Sequence, residues 1–118
     1  MLLAVGEYLV DDLRPELRRM ATGFSGGLGD TREELCGALS GGAMVIGVLH
    51  GRASLDEADE PAIRLAARYR ARFLEEFGYT QCVRLRENVV YGTEGLGSCR
   101  ALVERAAMIL LGLFSEAE

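Results

Sequence analysis

Thr31-Arg32-Glu33-Glu34-Leu35-Cys36-Gly37-Ala38-Leu39-Ser40-Gly41-Gly42-Ala43-Met44-Val45-Ile46-Gly47-Val48-Leu49-His50-Gly51 is the stretch on which the fold turns. Thr31 followed by Glu34 has the spacing of a capping box, which satisfies two orphan N–H groups and lets a helix start there. Leu35 to Leu49 then runs 15 residues without a charge. As a helix that run spans about 22 Å, short of the hydrocarbon core of about 30 Å, so it reads as a buried helix and not as a membrane span. Gly51 is its stop. The spacing predicts a central helix over about 33–49, with Met44, Val45, Val48 and Leu49 in the core. Gly37 and Gly41, with Ala38, Gly42 and Ala43 beside them, leave one face nearly bare, where another element packs closely. Tight core packing is favoured there over a helix-pairing seam in a homodimer, since small-residue seams are chiefly a membrane device.

On the N-terminal side, apolar residues at 2, 3, 5, 9, 10 and 13 predict a short first helix over Leu2 to Asp12. Pro15 suits a first helical position, with Leu17, Met20 and Ala21 on one face and an end near Thr22. Gly23-Phe24-Ser25-Gly26-Gly27-Leu28-Gly29 holds four glycines in seven residues and must be a loop with unusual backbone angles. On the C-terminal side, Ser54 with Glu57 offers a second capping box, and Pro61 tolerates only a first turn, so a helix starts between 55 and 61. Ala62, Ile63, Ala66, Tyr69, Phe73 and Phe77 form its inner stripe, ending at Gly78. Thr80 caps a brief helix to about Glu87. Asn88 to Gly97 reads as an irregular loop, in which only Val89-Val90-Tyr91 has strand character. Ser98 caps a last helix with Leu102, Val103, Ala106, Ile109, Leu110 and Phe114 inward. The class is all-α: five or six helices in a bundle around the small-residue-rich helix.

The chain has 118 residues, 49% hydrophobic and 26% charged, which fits one globular domain over 1–118 and excludes disorder. Its formal charge of -5 has the wrong sign for neutralising nucleic-acid phosphates. All 13 basic residues are Arg, which removes lysine Schiff bases, lysine general bases and the phosphate-loop lysine. His50 is the sole histidine, so no two-histidine metal site forms within one chain. The apolar start carries Glu7, Asp11 and Asp12 and lacks a basic region and cleavage site, so it is expected to be mature protein. Three cysteines without a signal peptide predict a reducing cytoplasm.

Cys36, Cys82 and Cys99 share a feature that their 45 and 16 intervening residues hide: each falls near a predicted helix start. A helix N-terminus carries partial positive charge and unpaired N–H groups, which lower a thiol's pKa. Cys36 is the weakest case, lying more than one turn in if Thr31 is the cap. The competing reading makes each cysteine a small buried hydrophobe.

The blocks Met20-Ala21-Thr22-Gly23-Phe24-Ser25-Gly26-Gly27-Leu28-Gly29, Cys36-Gly37-Ala38-Leu39-Ser40-Gly41, Gly78-Tyr79-Thr80-Gln81-Cys82-Val83-Arg84-Leu85 and Cys99-Arg100-Ala101-Leu102-Val103 stand in this order. Together they resemble the bacterial redox-active family named for its C, CGAxxG, C, C cysteine pattern, over residues 1 to about 112. The resemblance implies a small helical protein, redox-active through its cysteines, and carries over to Cys36, Cys82 and Cys99. It departs at one place: the family's first cysteine lies on the first helix, and Met1 to Asp12 holds none. If a shortened start explains this, the reading frame upstream of Met1 should encode a Cys within about one or two helical turns.

Three functions stand open. In the first, two of Cys36, Cys82 and Cys99 cycle between dithiol and disulfide with an unidentified redox partner, as in a thiol oxidoreductase. In the second, the same thiolates ligate zinc or an iron-sulfur cluster. In the third, the chain is a helical binding module and the cysteines are incidental. The first two require the cysteines to converge, with the Gly23 to Gly29 loop over them. Gly26, Gly27, Gly29 and Gly37 are the candidate backbone contacts for any bound group. Without a preceding strand or a lysine, a phosphate reading of that loop is weak. Ser25 and Ser40 lack a partner histidine, His50 is a C-terminal cap, and Arg64, Arg68 and Arg72 with Glu60, Glu75 and Glu76 are a solvated ion-paired face.

Overall fold

Stripes of apolar residues at three- and four-residue steps become helices here, and almost nothing else does. In a computed structural model that describes residues 1–10 and 12–117, the α-helices are α1 (Glu7–Leu9), α2 (Pro15–Met20), α3 (Gly37–His50), α4 (Glu60–Phe77), α5 (Cys82–Leu85) and α6 (Cys99–Ala117). A π-turn over Leu2–Gly6 leads into α1, and a second over Arg86–Val90 extends α5. The expected first helix is thus present in two parts, with its residue Asp11 outside the described residues. The π-turn at Arg86–Val90 also replaces the first part of the loop expected from Asn88, and with it the strand character of Val89 and Val90. Among the described residues the β-pairing is a single isolated antiparallel bridge, Leu35 with Gln81.

The core lies where α3 packs against both α4 and α6. Ile46 and Val45 of α3, Leu65, Tyr69, Phe73 and Phe77 of α4, and Leu102, Ala106, Leu110 and Leu113 of α6 are buried. Each large side chain so buried stabilises the fold by roughly 1.5–3 kcal/mol. Phe73 meets Tyr69 and Phe77 edge-on, with centroids 6.2 and 4.7 Å away. The small face of α3 permits this closeness: a Cβ on Gly42 would run into the Tyr69 ring, and one on Gly41 would stand 2.9 Å from Met1 Cβ. The close packing is therefore intramolecular.

Several expectations need correcting. Val48 and Leu49 are 38% exposed, so the buried side of α3 is the one bearing Val45 and Ile46. Ile63 of α4 and Met20 of α2 also face outward. The central helix begins at Gly37 and not near Thr31, because Asp30 and Arg32 have positive φ (57 and 66°) and the Thr31 hydroxyl turns back to the carbonyls of Gly27 and Leu28. α4 starts at Glu60, within the expected 55–61, but Ser54 and Glu57 close a turn ahead of it instead of capping it. Gln81, not Thr80, precedes α5. Gly78 ends α4 with φ 80°, and Ser98 caps α6 through the Ala101 N–H, both as expected. The arginine face of α4 is ion-paired, but Arg68 and Arg72 reach Glu116 on α6, at 2.8 and 2.7 Å, while Arg64 pairs with Glu60. No helix among the described residues is long and apolar enough to cross a membrane.

Candidate functional site

Each cysteine stands at a helix start, delivered by a different part of the chain. Cys36 is the residue before α3, Cys82 opens α5 and Cys99 opens α6. The isolated bridge joins the first two: the Cys36 N–H donates to the Thr80 carbonyl and the Cys82 N–H to the Glu34 carbonyl, both at 2.9 Å. Side chains of extended backbone alternate in direction, so Leu35 and Gln81 share one side of this bridge and Cys36 and Cys82 share the other. Leu35 is accordingly 49% exposed, whereas Cys82 is 7% exposed and Cys36 is half-buried.

All three cysteines line one cavity of about 490 Å³. Its walls come from the N-terminal turn (Met1, Leu2, Leu3), the 24–26 loop, the start of α3, and Leu85, Arg86, Val90, Leu102 and Val103. Of the three cysteines, the glycine loop is in close contact with Cys82, while Cys99 is exposed. Gly26 and Gly37 line the cavity, and Gly27, at φ +67°, is pressed against Cys82. Gly29 has nothing within 4 Å of where its Cβ would be and does not line the cavity. His50 lies away from it, at the end of α3, with its ring 6.0 Å from Phe114.

Arg86 went unnoticed in the sequence. It follows Cys82 by four residues, a spacing that puts two side chains on one helix face, and that spacing was the available signal. Its Nη1 donates to Cys99 Sγ at 3.4 Å, and its guanidinium lies 5.4 Å from the Tyr91 ring centroid. Arg86 is thus bonded to Cys99, and its charge also reaches Cys82.

The electrostatics overturn one expectation. Burial pushes the thiols of Cys36 and Cys82 above their ordinary range, and it outweighs the helix starts. At Cys36 the N–H groups of Ala38 and Leu39 pull the other way, and the neighbouring Cys82 and Cys99 push further up. At Cys82 the opposing pull is the charge of Arg86. The physical reason at Cys82 is plain: α5 has only four residues, and the N–H groups of Cys82 and Val83 are already taken by the carbonyls of Glu34 and Arg32. A helix start whose donors are spent has little left for a thiolate. Tyr69, whose hydroxyl donates to the Ala38 carbonyl at 2.8 Å, is likewise shifted upward by burial and by the nearby Cys36.

Among the described residues, no group of three or more His, Cys, Asp or Glu is placed to hold a metal ion. The three thiols share a cavity, and among the described residues they are not gathered into a ligand set. Negative charge on Cys99 raises the cost of ionising Cys36 and Cys82.

Neither the curated proteins nor the solved structures give a match. A family model does, over residues 1–113, and its description reads "Putative redox-active protein (C_GCAxxG_C_C)". The stretch here that resembles the GCAxxG block is Cys36-Gly37-Ala38-Leu39-Ser40-Gly41, at the start of α3, with cysteine and first glycine in the reverse order, and two further cysteines line the same cavity. On the extent of that match, the chain belongs to the C_GCAxxG_C_C redox-active protein family.

Proposed function

We propose that the chain is a dithiol-disulfide electron carrier in which Cys99 is the entry thiol and Cys82 resolves, with Cys36 as the third sulfur of the set. The observation that carries this reading is the cavity lined by all three cysteines, although they are far apart in sequence. Cys99 is exposed and hydrogen-bonded to Arg86, which suits first attack; Cys82 is buried beside the same arginine, which suits the second step. The Cys99 thiolate attacks one sulfur of a partner disulfide, forming a mixed disulfide and releasing the partner's first thiol. Cys82 then attacks the Cys99 sulfur, forming the intramolecular disulfide and releasing the second thiol. Two protein thiols are oxidised, one disulfide is reduced, and the two protons leave with the released thiols.

Oxidation of the reduced protein by a small disulfide, followed by peptide mass mapping, tests this. A Cys82–Cys99 link is expected within one chain, Cys82→Ser should trap the mixed disulfide on Cys99, and Cys36→Ser should still form the link. Recovery of all three cysteines as free thiols under oxidising buffer, or only intermolecular links, would sink the reading.

A further inference from the structure

We infer that the cavity selects a small disulfide bearing a carboxylate close to its sulfur, held by the Arg86 guanidinium while Cys99 attacks. This rests on the dithiol reading and adds the substrate class to it. The chain as a whole is acidic, with a formal charge of -5, yet among the described residues no Asp or Glu lines the cavity. Among the described residues its cationic groups are Arg18, Arg86 and the Met1 ammonium, the last lying on the Cys36 side of the cavity. Arg18 is already engaged, with Glu7 at 3.5 Å and the Leu13 carbonyl at 3.0 Å. Asp30 and Arg32, whose fields also reach Cys82, face each other at 3.9 Å and largely cancel. Arg86 differs from both. Among the described residues it has no carboxylate partner; its contacts are a thiol sulfur and an aromatic face.

A half-buried guanidinium with only such weak partners favours an anion in reach. Its five N–H groups form a planar fork, and the contact to Cys99 uses Nη1. The remaining edge is free to take both oxygens of a carboxylate. With Nη1 3.4 Å from Cys99 Sγ, a carboxylate gripped by that edge brings a sulfur a few bonds away to the attacking thiolate. The rest of the lining is mainly apolar, and about 490 Å³ is the scale of small-molecule pockets. The reaction is the exchange already written: the ligand disulfide becomes two carboxylate-bearing thiols as Cys82 and Cys99 become the protein disulfide.

The test compares three symmetric disulfides of similar size on the reduced full chain: dithiodipropionate (anionic), hydroxyethyl disulfide (neutral) and cystamine (cationic). Each single-turnover rate is divided by the rate of free propanethiol, a neutral thiol absent from all three disulfides, with the same disulfide, which removes intrinsic reactivity. The normalised rate should favour dithiodipropionate over hydroxyethyl disulfide by about tenfold or more at low salt and disfavour cystamine, with the spread shrinking as salt rises. Arg86→Gln should bring the anionic-to-neutral ratio to about one, while Arg64→Gln, the same charge change on the outer face of α4, should leave it intact. Equal normalised rates in the unaltered protein would overturn the inference and leave the dithiol reading standing, as would retention of the preference in Arg86→Gln. The salt series on the unaltered chain decides the matter even if Arg86→Gln does not fold. Failure of all three disulfides to exchange would overturn both readings.

Discussion

Gly27 and Cys82 are packed so tightly that a Cβ on the glycine would stand 2.7 Å from the Cβ of the cysteine. The glycine loop is thereby a fitted cover on a sulfur-bearing residue 55 positions further along the chain, and its backbone at φ +67° is available to few residues besides glycine.

Gly27→Ala should therefore destabilise the fold on two counts: about 1–2 kcal/mol for the left-handed backbone, and about 1–3 kcal/mol for forcing a methyl into Cys82. Gly29→Ala isolates the first count, because Gly29 has φ +60° with nothing within 4 Å. Urea unfolding of the two variants should show the larger loss at Gly27, and equal losses would mean the contact with Cys82 is not there.

Stability of the reduced protein should fall on the alkaline side. Cys36 and Cys82 hold their protons to higher pH when folded than when unfolded, so above about pH 8.5 the unfolded chain binds fewer protons. Stability then declines as pH rises, by at most about 1.4 kcal/mol per pH unit for each group between its unfolded and folded pKa. Tyr69, also shifted upward, adds the same sign above about pH 10. Denaturant titrations at stepped pH should show the decline, with Tyr69→Phe flattening its upper part. A stability that is level from pH 9 to 11 would contradict the burial assigned to these groups.

Alkylation at neutral pH should rank the thiols by access. Cys99 is exposed, Cys36 half-buried and Cys82 buried with its proton held. Peptide mapping after a short iodoacetamide pulse is expected to find Cys99 modified first and Cys82 last, with Cys82 at least about tenfold slower than Cys99. Labelling of Cys82 at the rate of Cys99 would mean the glycine loop does not cover it.

Where the sequence is amphipathic, its reading carried over to the structure. Tyr69, Phe73 and Phe77 mark the inner side of α4 because arginines and glutamates mark the outer one, and Leu102, Ala106 and Leu110 do the same for α6. In α3 no charge marks any side, so periodicity has nothing to contrast, and Val48 and Leu49 look as buried as Val45 and Ile46 do. The start of α3 was hidden for another reason. Thr31 and Glu34 have the spacing of a cap, but the run of positive φ from Gly26 through Asp30 and at Arg32 commits the chain to a left-handed turn. The hydroxyl of Thr31 is spent within that turn. The cysteines were legible as a set, while Arg86 was hidden among arginines whose surroundings only the tertiary fold distinguishes.

The bridge at Leu35 and Gln81 has a consequence for the order in which the molecule assembles. Helical turns form from neighbours, whereas this pairing must close a loop of more than forty residues, at an entropic cost of about 3–4 kcal/mol. It is held by few bonds, chiefly those of Cys36, Cys82 and Val83 to carbonyls across the bridge and of the Gln81 side chain to Glu33. In native-state hydrogen exchange, the amides of Cys82 and Val83 should open at a lower free energy than those of Tyr69 and Phe73 in α4. Comparable protection for both sets would show that bridge and core form as one unit. With the bridge opening first, Cys36 parts from Cys82 while α4 and α6 still stand, so these two sulfurs meet across a seam that yields before the helical core does.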